Sequence, residues 1–247
     1  MEKIIAIFER HPAVEDDYRQ YLPMIGQAVG GLVLGLTANL AGPAFRSDLL
    51  LSGDSSGTGD MNLYNDRLYG SLSLWVNRLE DAAPIFDALA FMPGERTLYS
   101  VVESVPREYP TIAWMAGQPS PGVTLLAVFR RKAGLTTDEF LDRWMGHSAL
   151  SLKIHPLSRY HRNFVVRRIA GTGEELHGIV EERVGSIEDL APERFYMGGP
   201  EMQAWTLADI ATFIDVRNSM RCNLTQEFIL KLPPWLEPLR GDGGSGH

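Results

Sequence analysis

Three short blocks of this chain recur, in the same order, in its second half. Ala6, Phe8 and Arg10 return 121 positions later as Ala127, Phe129 and Arg131, and Tyr18 and Leu22 match Phe140 and Trp144 at a spacing of 122. Gly70, Glu80, Asp81 and Pro84 match Gly178, Glu188, Asp189 and Pro192 at a spacing of 108. One shared word arises by chance; three colinear ones point to a duplicated unit. The shorter last spacing is what a longer loop in the first copy produces.

Local patterning gives each copy the order β-α-β-β-α-β. In the first, the isoleucine-rich KIIAIFER at 3–10 reads as a buried strand. Val14, Tyr18, Tyr21, Leu22 and Ile25 then recur at helical spacing, with Pro23 expected to kink or shorten that helix. Strands are expected from Leu32 and from Tyr69, the latter running into a helix that ends near Ala90, and RTLYSVVESV at 96–105 is the fourth strand. Residues 42–62, with SGDSSGTGD, read as a long polar loop, either mobile or a lid. In the second copy Val123–Arg131 is a strand, and Thr136 with Glu139 makes a capping box flanked by the staple pair Leu135 and Phe140. Strands follow at Tyr160–Arg168 and His177–Val184, then a helical region over roughly 188–214 and a last strand RCNLTQEFIL.

These patterns predict an α+β chain of two ferredoxin-like units, at 1–112 and 122–240, joined by a linker at 113–121 and ending in a flexible tail at 241–247. A four-stranded antiparallel sheet with helices on one face leaves its other face uncovered. Two such sheets can close face to face into an intramolecular α+β barrel around a cavity lined by strand side chains. A formal charge of −8 repels phosphate backbones, so nucleic acid is not expected as a partner. The most apolar stretch, Ala28–Leu36, is too short to span a bilayer, so no membrane is expected either. The lone Cys222 fits a reducing cytoplasm.

The segments LLAVFRRKAGLTTDEFLDRW, MGHSAL and RYHRNFVV, with HGIVEE and the late IDVRNS and TQEFIL, resemble the EthD family of dimeric α+β barrel proteins. The resemblance covers about 110 residues of the second half. It implies a small, often aromatic ligand handled without metal or organic cofactor. Many members carry His-Gly-Pro at the helix end, where this chain has His147-Ser148-Ala149.

His147 follows Phe140 and Trp144 on one helix face, where an imidazole can serve as acid or base or simply as a hydrogen-bonded core residue. Its counterpart in the first copy is Ile25. On the next strand His161 and Asn163 share a face and Tyr160 takes the other; that face either lines the cavity or is a solvated edge. His177 and Glu181 share a face with Glu182 opposite, either as barrel carboxylates or as surface acids matching Arg183 and Arg167. His155, before Pro156, reads as structural or exposed. The spacings of His147, His155 and His161 lack the one-face logic of a metal site, so no metal is expected. Cys222 reads as a small buried hydrophobe.

With the resemblance, these residues suggest a cofactor-independent lyase that dehydrates or decarboxylates a small aromatic or polyketide-like molecule. His147, His161 and Tyr160 would be catalytic, and Asn163, Glu182, Trp144 and His177 would bind substrate. A cofactor-free or haem-assisted monooxygenase and a non-catalytic small-molecule-binding protein are the rivals, and a homodimer is compatible with each.

Overall fold

The computed structural model describes residues 1–10, 17–42 and 67–239. The expected lid at 42–62, apart from Gly42, and the tail at 241–247 lie outside them. The first copy runs β1 (Glu2–Glu9), α1 (Leu22–Val29), β2 (Gly35–Leu40), β3 (Leu68–Val76), α2 (Ala82–Ala88) and β4 (Glu95–Arg107). The second runs β5 (Val123–Phe129), α3 (Thr137–Ile154), β6 (Leu157–Ala170), β7 (Gly178–Val184), α4 (Pro192–Phe195), α5 (Gly199–Ile210), α6 (Val216–Ser219) and β8 (Arg221–Lys231).

All eight strands pair antiparallel in one closed barrel of order β1-β3-β2-β8-β5-β7-β6-β4. Each copy contributes four adjacent strands, and β2 against β8 and β4 against β6 are the seams between copies. The duplication holds at residue level: Ile4 pairs with Leu74 as Leu125 pairs with Glu182. The repeated Glu-Asp word caps the turn after the third strand of each copy. Asp81 and Asp189 accept from the main-chain N–H three residues earlier, at 3.3 and 3.0 Å. The repeated glycines are required by close approach. A Cβ at Gly70 would lie 2.3 Å from the Asn39 carbonyl oxygen, and one at Gly178 would lie 2.3 Å from Phe129.

Strand alternation sorts side chains into two cores. Ile4, Ala6 and Phe8 of β1 turn outward to helices α1 and α2, packing with Ile25, Leu74 and Ile85. Burying each such side chain stabilises the fold by roughly 1.5–3 kcal/mol. Ile5 and Ile7 turn inward and meet Leu126, Val128, Val165 and Ile179 inside the barrel. The capping box starts α3 as expected, with Glu139 N–H donating to the Thr136 hydroxyl at 3.2 Å and Thr136 N–H to Glu139 at 2.8 Å.

Several expectations are corrected. Pro23 lies in the first turn of α1, after a single turn of tighter helix at Tyr18–Tyr21, and so begins the helix rather than kinking it. The helical region at 188–214 is broken into pieces, with Gly198 and Gly199 at φ of 121° and 67° before α5. Residues of the expected linker pair with β8. Gly117 and Ser120 donate to the carbonyls of Ile229 and Glu227, carrying the edge of β5 backwards along β8.

The largest correction concerns the barrel interior, which is filled by an apolar layer and a bonded polar network, with a pocket lined by Lys3, Trp75, Val101 and Glu103 beside it. Beside its apolar layer sit Lys3, Glu103, Glu108, Arg159, His161, Asn163, Glu181, Arg183 and Glu227, bonded across both copies. Lys3 Nζ donates to Glu103 at 2.6 Å and to Asn163 at 2.9 Å. Arg159 meets Glu108 at 2.8 Å and also pairs with Glu227.

Candidate active site

The open space of the second copy lies on the other side of its sheet, between strands β5 to β8 and the helix layer. It encloses about 100 Å³. Leu125, Ala127 and Phe129 of β5 and Val180 of β7 form the floor; Trp144 of α3, Phe195, Tyr196 and Phe213 close the sides. Into this apolar space come His147 from α3, His155 just after it, Tyr160 from β6, Glu182 from β7 and Cys222 from β8.

His147 is buried, and its Nδ1 lies 2.8 Å from Asp209 Oδ2 on α5. Its Nε2 lies 3.2 Å from the Ser151 hydroxyl, one helical turn on. The pattern fits a neutral ring that donates from Nδ1 to the carboxylate and accepts at Nε2. Burial pulls the His147 pKa below the ordinary histidine value, and Asp209 opposes that shift. His155 is buried rather than exposed. It stacks on Phe195 at 4.0 Å, gives its Nδ1 to the Phe195 carbonyl at 2.8 Å, and is held by burial at about 4.

Glu182 faces the cavity, where no protein group neutralises it. Its side chain is half-buried and lines the cavity, and desolvation there pushes its pKa up to about 7. The Tyr160 hydroxyl lies 2.9 Å from Ser148 Oγ. That oxygen already donates to the Trp144 carbonyl, so Tyr160 is the donor. Cys222 is a buried wall residue whose thiol burial pushes up to about 12, far from a nucleophilic thiolate.

The expected set is therefore divided. Tyr160, Glu182, Trp144 and His147 come together in this cavity. His161 and Asn163 lie on the opposite face of β6, inside the barrel. His161 has Glu103 at 2.8 Å on Nδ1 and Glu108 at 2.9 Å on Nε2, so both ring nitrogens are engaged by carboxylates. Asn163 binds Lys3 and the Ile179 carbonyl. Glu181 and Arg183 are buried too, not surface charges: Glu181 binds Asn39 and Ser73, and Arg183 binds Thr124. His177 precedes β7 in an outer groove with Arg131, Arg167, Arg168 and Glu175. The sequence reading missed Asp209, which lies on the broken helical region. Among the described residues no three His, Cys, Asp or Glu side chains gather as metal ligands.

The repeat gives the cavity its meaning. Its two central ionisable positions, His147 and Glu182, correspond to Ile25 and Leu74 in the first copy, both fully buried in the apolar core. The same scaffold is filled with hydrocarbon once and hollowed around two titratable groups once.

The architecture has counterparts among solved structures. A structure described as an anthrone oxidase-like protein aligns over 94% of this chain and 94% of its own, with 11% identity and a TM-score of 0.59. A proposed monooxygenase from Fusobacterium nucleatum subsp. nucleatum aligns over 93% of each chain, with 11% identity and a TM-score of 0.51. The fold is that of the dimeric α+β barrels. At such identity the likeness extends to the fold alone, and no family model and no curated protein sequence matches the chain, the EthD family included. A haem, which the monooxygenase rival allowed, does not fit here. The cavity is about 100 Å³, below the several hundred that organic cofactors and drug-sized ligands occupy, and His147 Nε2 is already turned to Ser151. No helix among the described residues is long and apolar enough to cross a membrane.

Proposed function

We propose that this chain is an enzyme that oxygenates a small, weakly acidic aromatic molecule in the cavity of its second copy, without an organic cofactor. The observation that carries this reading is the pairing of a carboxylate-bound imidazole with a carboxyl of raised pKa in an aromatic-lined space that the first copy fills with Ile25 and Leu74. His147 Nε2 takes a proton from an activated C–H or phenolic group, with Asp209 stabilising the imidazolium. The resulting carbanion, or the ring carbon of the resulting phenolate, reduces molecular oxygen. For a methylene substrate the hydroperoxide loses water and leaves a ketone: one methylene and one O2 give one carbonyl and one H2O. Glu182, largely protonated below pH 7, supplies the proton to the departing oxygen and regains it from His147. The two solved structures of like fold, described as an anthrone oxidase-like protein and a proposed monooxygenase, are consistent with this chemistry.

Oxygen uptake in the presence of anthrone and of single-ring phenols tests the proposal. One O2 consumed per product is expected, with a loss of roughly 10²–10⁴-fold on His147→Ala. A base and a neutral acid in one cavity also suit elimination of water, and this favours the lyase as the second reading. Turnover that proceeds at an equal rate under nitrogen selects the lyase and overturns the oxygenase.

A further inference from the structure

The helix that brings Asp209 to His147 has no equivalent in the first copy. Ten residues separate Pro84 from β4, whereas twenty-eight separate Pro192 from β8, and α5 lies in the added length. It lies over the cavity through Thr206, Leu207 and Ile210. Of its twelve residues only Thr206 is buried, and Trp205 on its outer side is 52% exposed. By contrast α3 buries Phe140, Trp144, His147, Ser148, Ser151 and Ile154. The packing of α5 is chiefly on α3 and α4. It is entered through Gly198 and Gly199, both in the left-handed region, and a side chain at Gly199 would meet nothing within 4 Å. Backbone freedom, not crowding, accounts for glycine there.

Beneath α5 the walls include His147, His155, Tyr160, Phe213 and Cys222, all buried. The space is about 100 Å³, smaller than the ~150 Å³ cavity that takes up a benzene ring, and movement of a wall would enlarge it for a one-ring ligand. The least embedded wall is α5.

We propose that α5 is a hinged roof over the cavity and that Asp209 is the positioning residue through which its closure orients His147. The inference deepens the reading above and rests on it for the role of His147 as a base. The ionisable groups facing His147 are Asp209 on α5, His155 just after α3, Tyr160 on β6, Glu182 on β7, Tyr196 after α4 and Cys222 on β8. Among the described residues, Asp209 is the one of these that bonds the ring. With the roof closed, the carboxylate fixes the Nδ1–H tautomer and keeps Nε2 an acceptor, held by the Ser151 hydroxyl until a ligand displaces it. With it open, that constraint is gone. Catalytic competence is thereby tied to enclosure of the ligand.

Nitrogen-15 NMR of histidine-labelled full-length protein reads this coupling without any substrate. In the wild type His147 should titrate as the Nδ1–H tautomer. Asp209→Asn should mix the tautomers and lower the titration midpoint by about one pH unit, because a neighbouring anion favours the imidazolium. Asp209→Glu should restore part of both. An unchanged tautomer and midpoint in Asp209→Asn overturns the positioning role. Hydrogen exchange of the unmodified protein should show α5 amides exchanging at least about tenfold faster than those of α3. Equal protection overturns the roof, whatever the variants do. A coupled His147 in a protein whose His147→Ala variant keeps full turnover would leave this inference standing and remove the reading of His147 as a base.

Discussion

Glu182 is the residue whose environment most clearly departs from what stability alone selects. Its counterpart Leu74 makes apolar contacts, whereas Glu182 brings a carboxyl to an apolar wall without a compensating cation. The thermodynamic sign follows from its pKa, about 7 folded against about 4.5 unfolded. The folded state keeps the proton longer, so stability is undiminished below about pH 4.5, falls as pH rises toward 7, and levels off above. Glu182→Gln should therefore raise the urea midpoint at pH 8, by at most about 3 kcal/mol, and leave it nearly unchanged at pH 4. In the oxygenase assay the same variant should lose turnover, since glutamine has no proton to give. A variant that is no more stable at pH 8 than at pH 4 would mean that water or a cation reaches the carboxyl. His155 contributes with the opposite slope. Its folded value of about 4 lies below the unfolded one, so its contribution is lost as pH falls from about 6.5 to 4.

At the scale of elements, the strand β7 and helix α3 meet through one glycine. A Cβ at Gly178 would lie 2.3 Å from Phe129 and 2.9 Å from the Trp144 ring. Gly178→Ala should displace both aromatic rings that floor and wall the cavity, costing about 1–3 kcal/mol in overpacking. A lowered thermal midpoint together with a changed near-ultraviolet circular dichroism spectrum would show it; a normal midpoint with a normal aromatic spectrum would contradict it. The order of elements was legible because its signals are local: the capping box at Thr136, the isoleucine run of β1, and glycine and aspartate words repeated at turns. The location of the cavity was not. In a closed barrel with helices outside, both faces of a strand are buried, so alternation separates two sets of side chains without telling which faces the barrel. Glu181 and Glu182 are adjacent and both acidic, yet one binds Asn39 inside the barrel and the other faces the ligand space outside. The face shared by His161 and Asn163 was open in the sequence to a cavity wall or a solvated edge; it faces the barrel interior, where with Arg159 it belongs to a bonded network. Asp209 could have been found from the eighteen extra residues that the second copy carries before its last strand.

At the scale of the whole molecule, the two copies are held together by their strand seams and by charges buried in the common interior. Lys3 of β1 reaches Glu103 of β4 and Asn163 of β6, and Arg159 of β6 ties Glu108, just after β4 in the first copy, to Glu227 of β8. Burial alone would raise these carboxyls. For Glu103 it is outweighed by Lys3 and His161, which hold it well below the usual carboxylate range. For Glu108 it is outweighed by His161 and Arg159, which hold it at about 2, and Glu227 is lowered by Arg159 and Arg183. Each folded value lies below the unfolded one, so the contribution is complete above about pH 4.5 and is lost as pH falls toward 2. Since every one of these groups bonds across a boundary between copies or between a copy and the linker, acid should not melt one half and spare the other. Urea unfolding followed by tryptophan fluorescence and far-ultraviolet circular dichroism should give coincident transitions at pH 7 and again at pH 3.5, with the midpoint markedly lower at pH 3.5. Lys3→Met should lower the pH 7 midpoint by about 3–5 kcal/mol, because it strands Glu103 and Glu181 without their cation. Two separated transitions, or a Lys3→Met protein as stable as the parent, would mean that the copies stand independently. The interior charges would then be incidental to the barrel, and the hollow in the second copy would have to be stabilised by that copy alone.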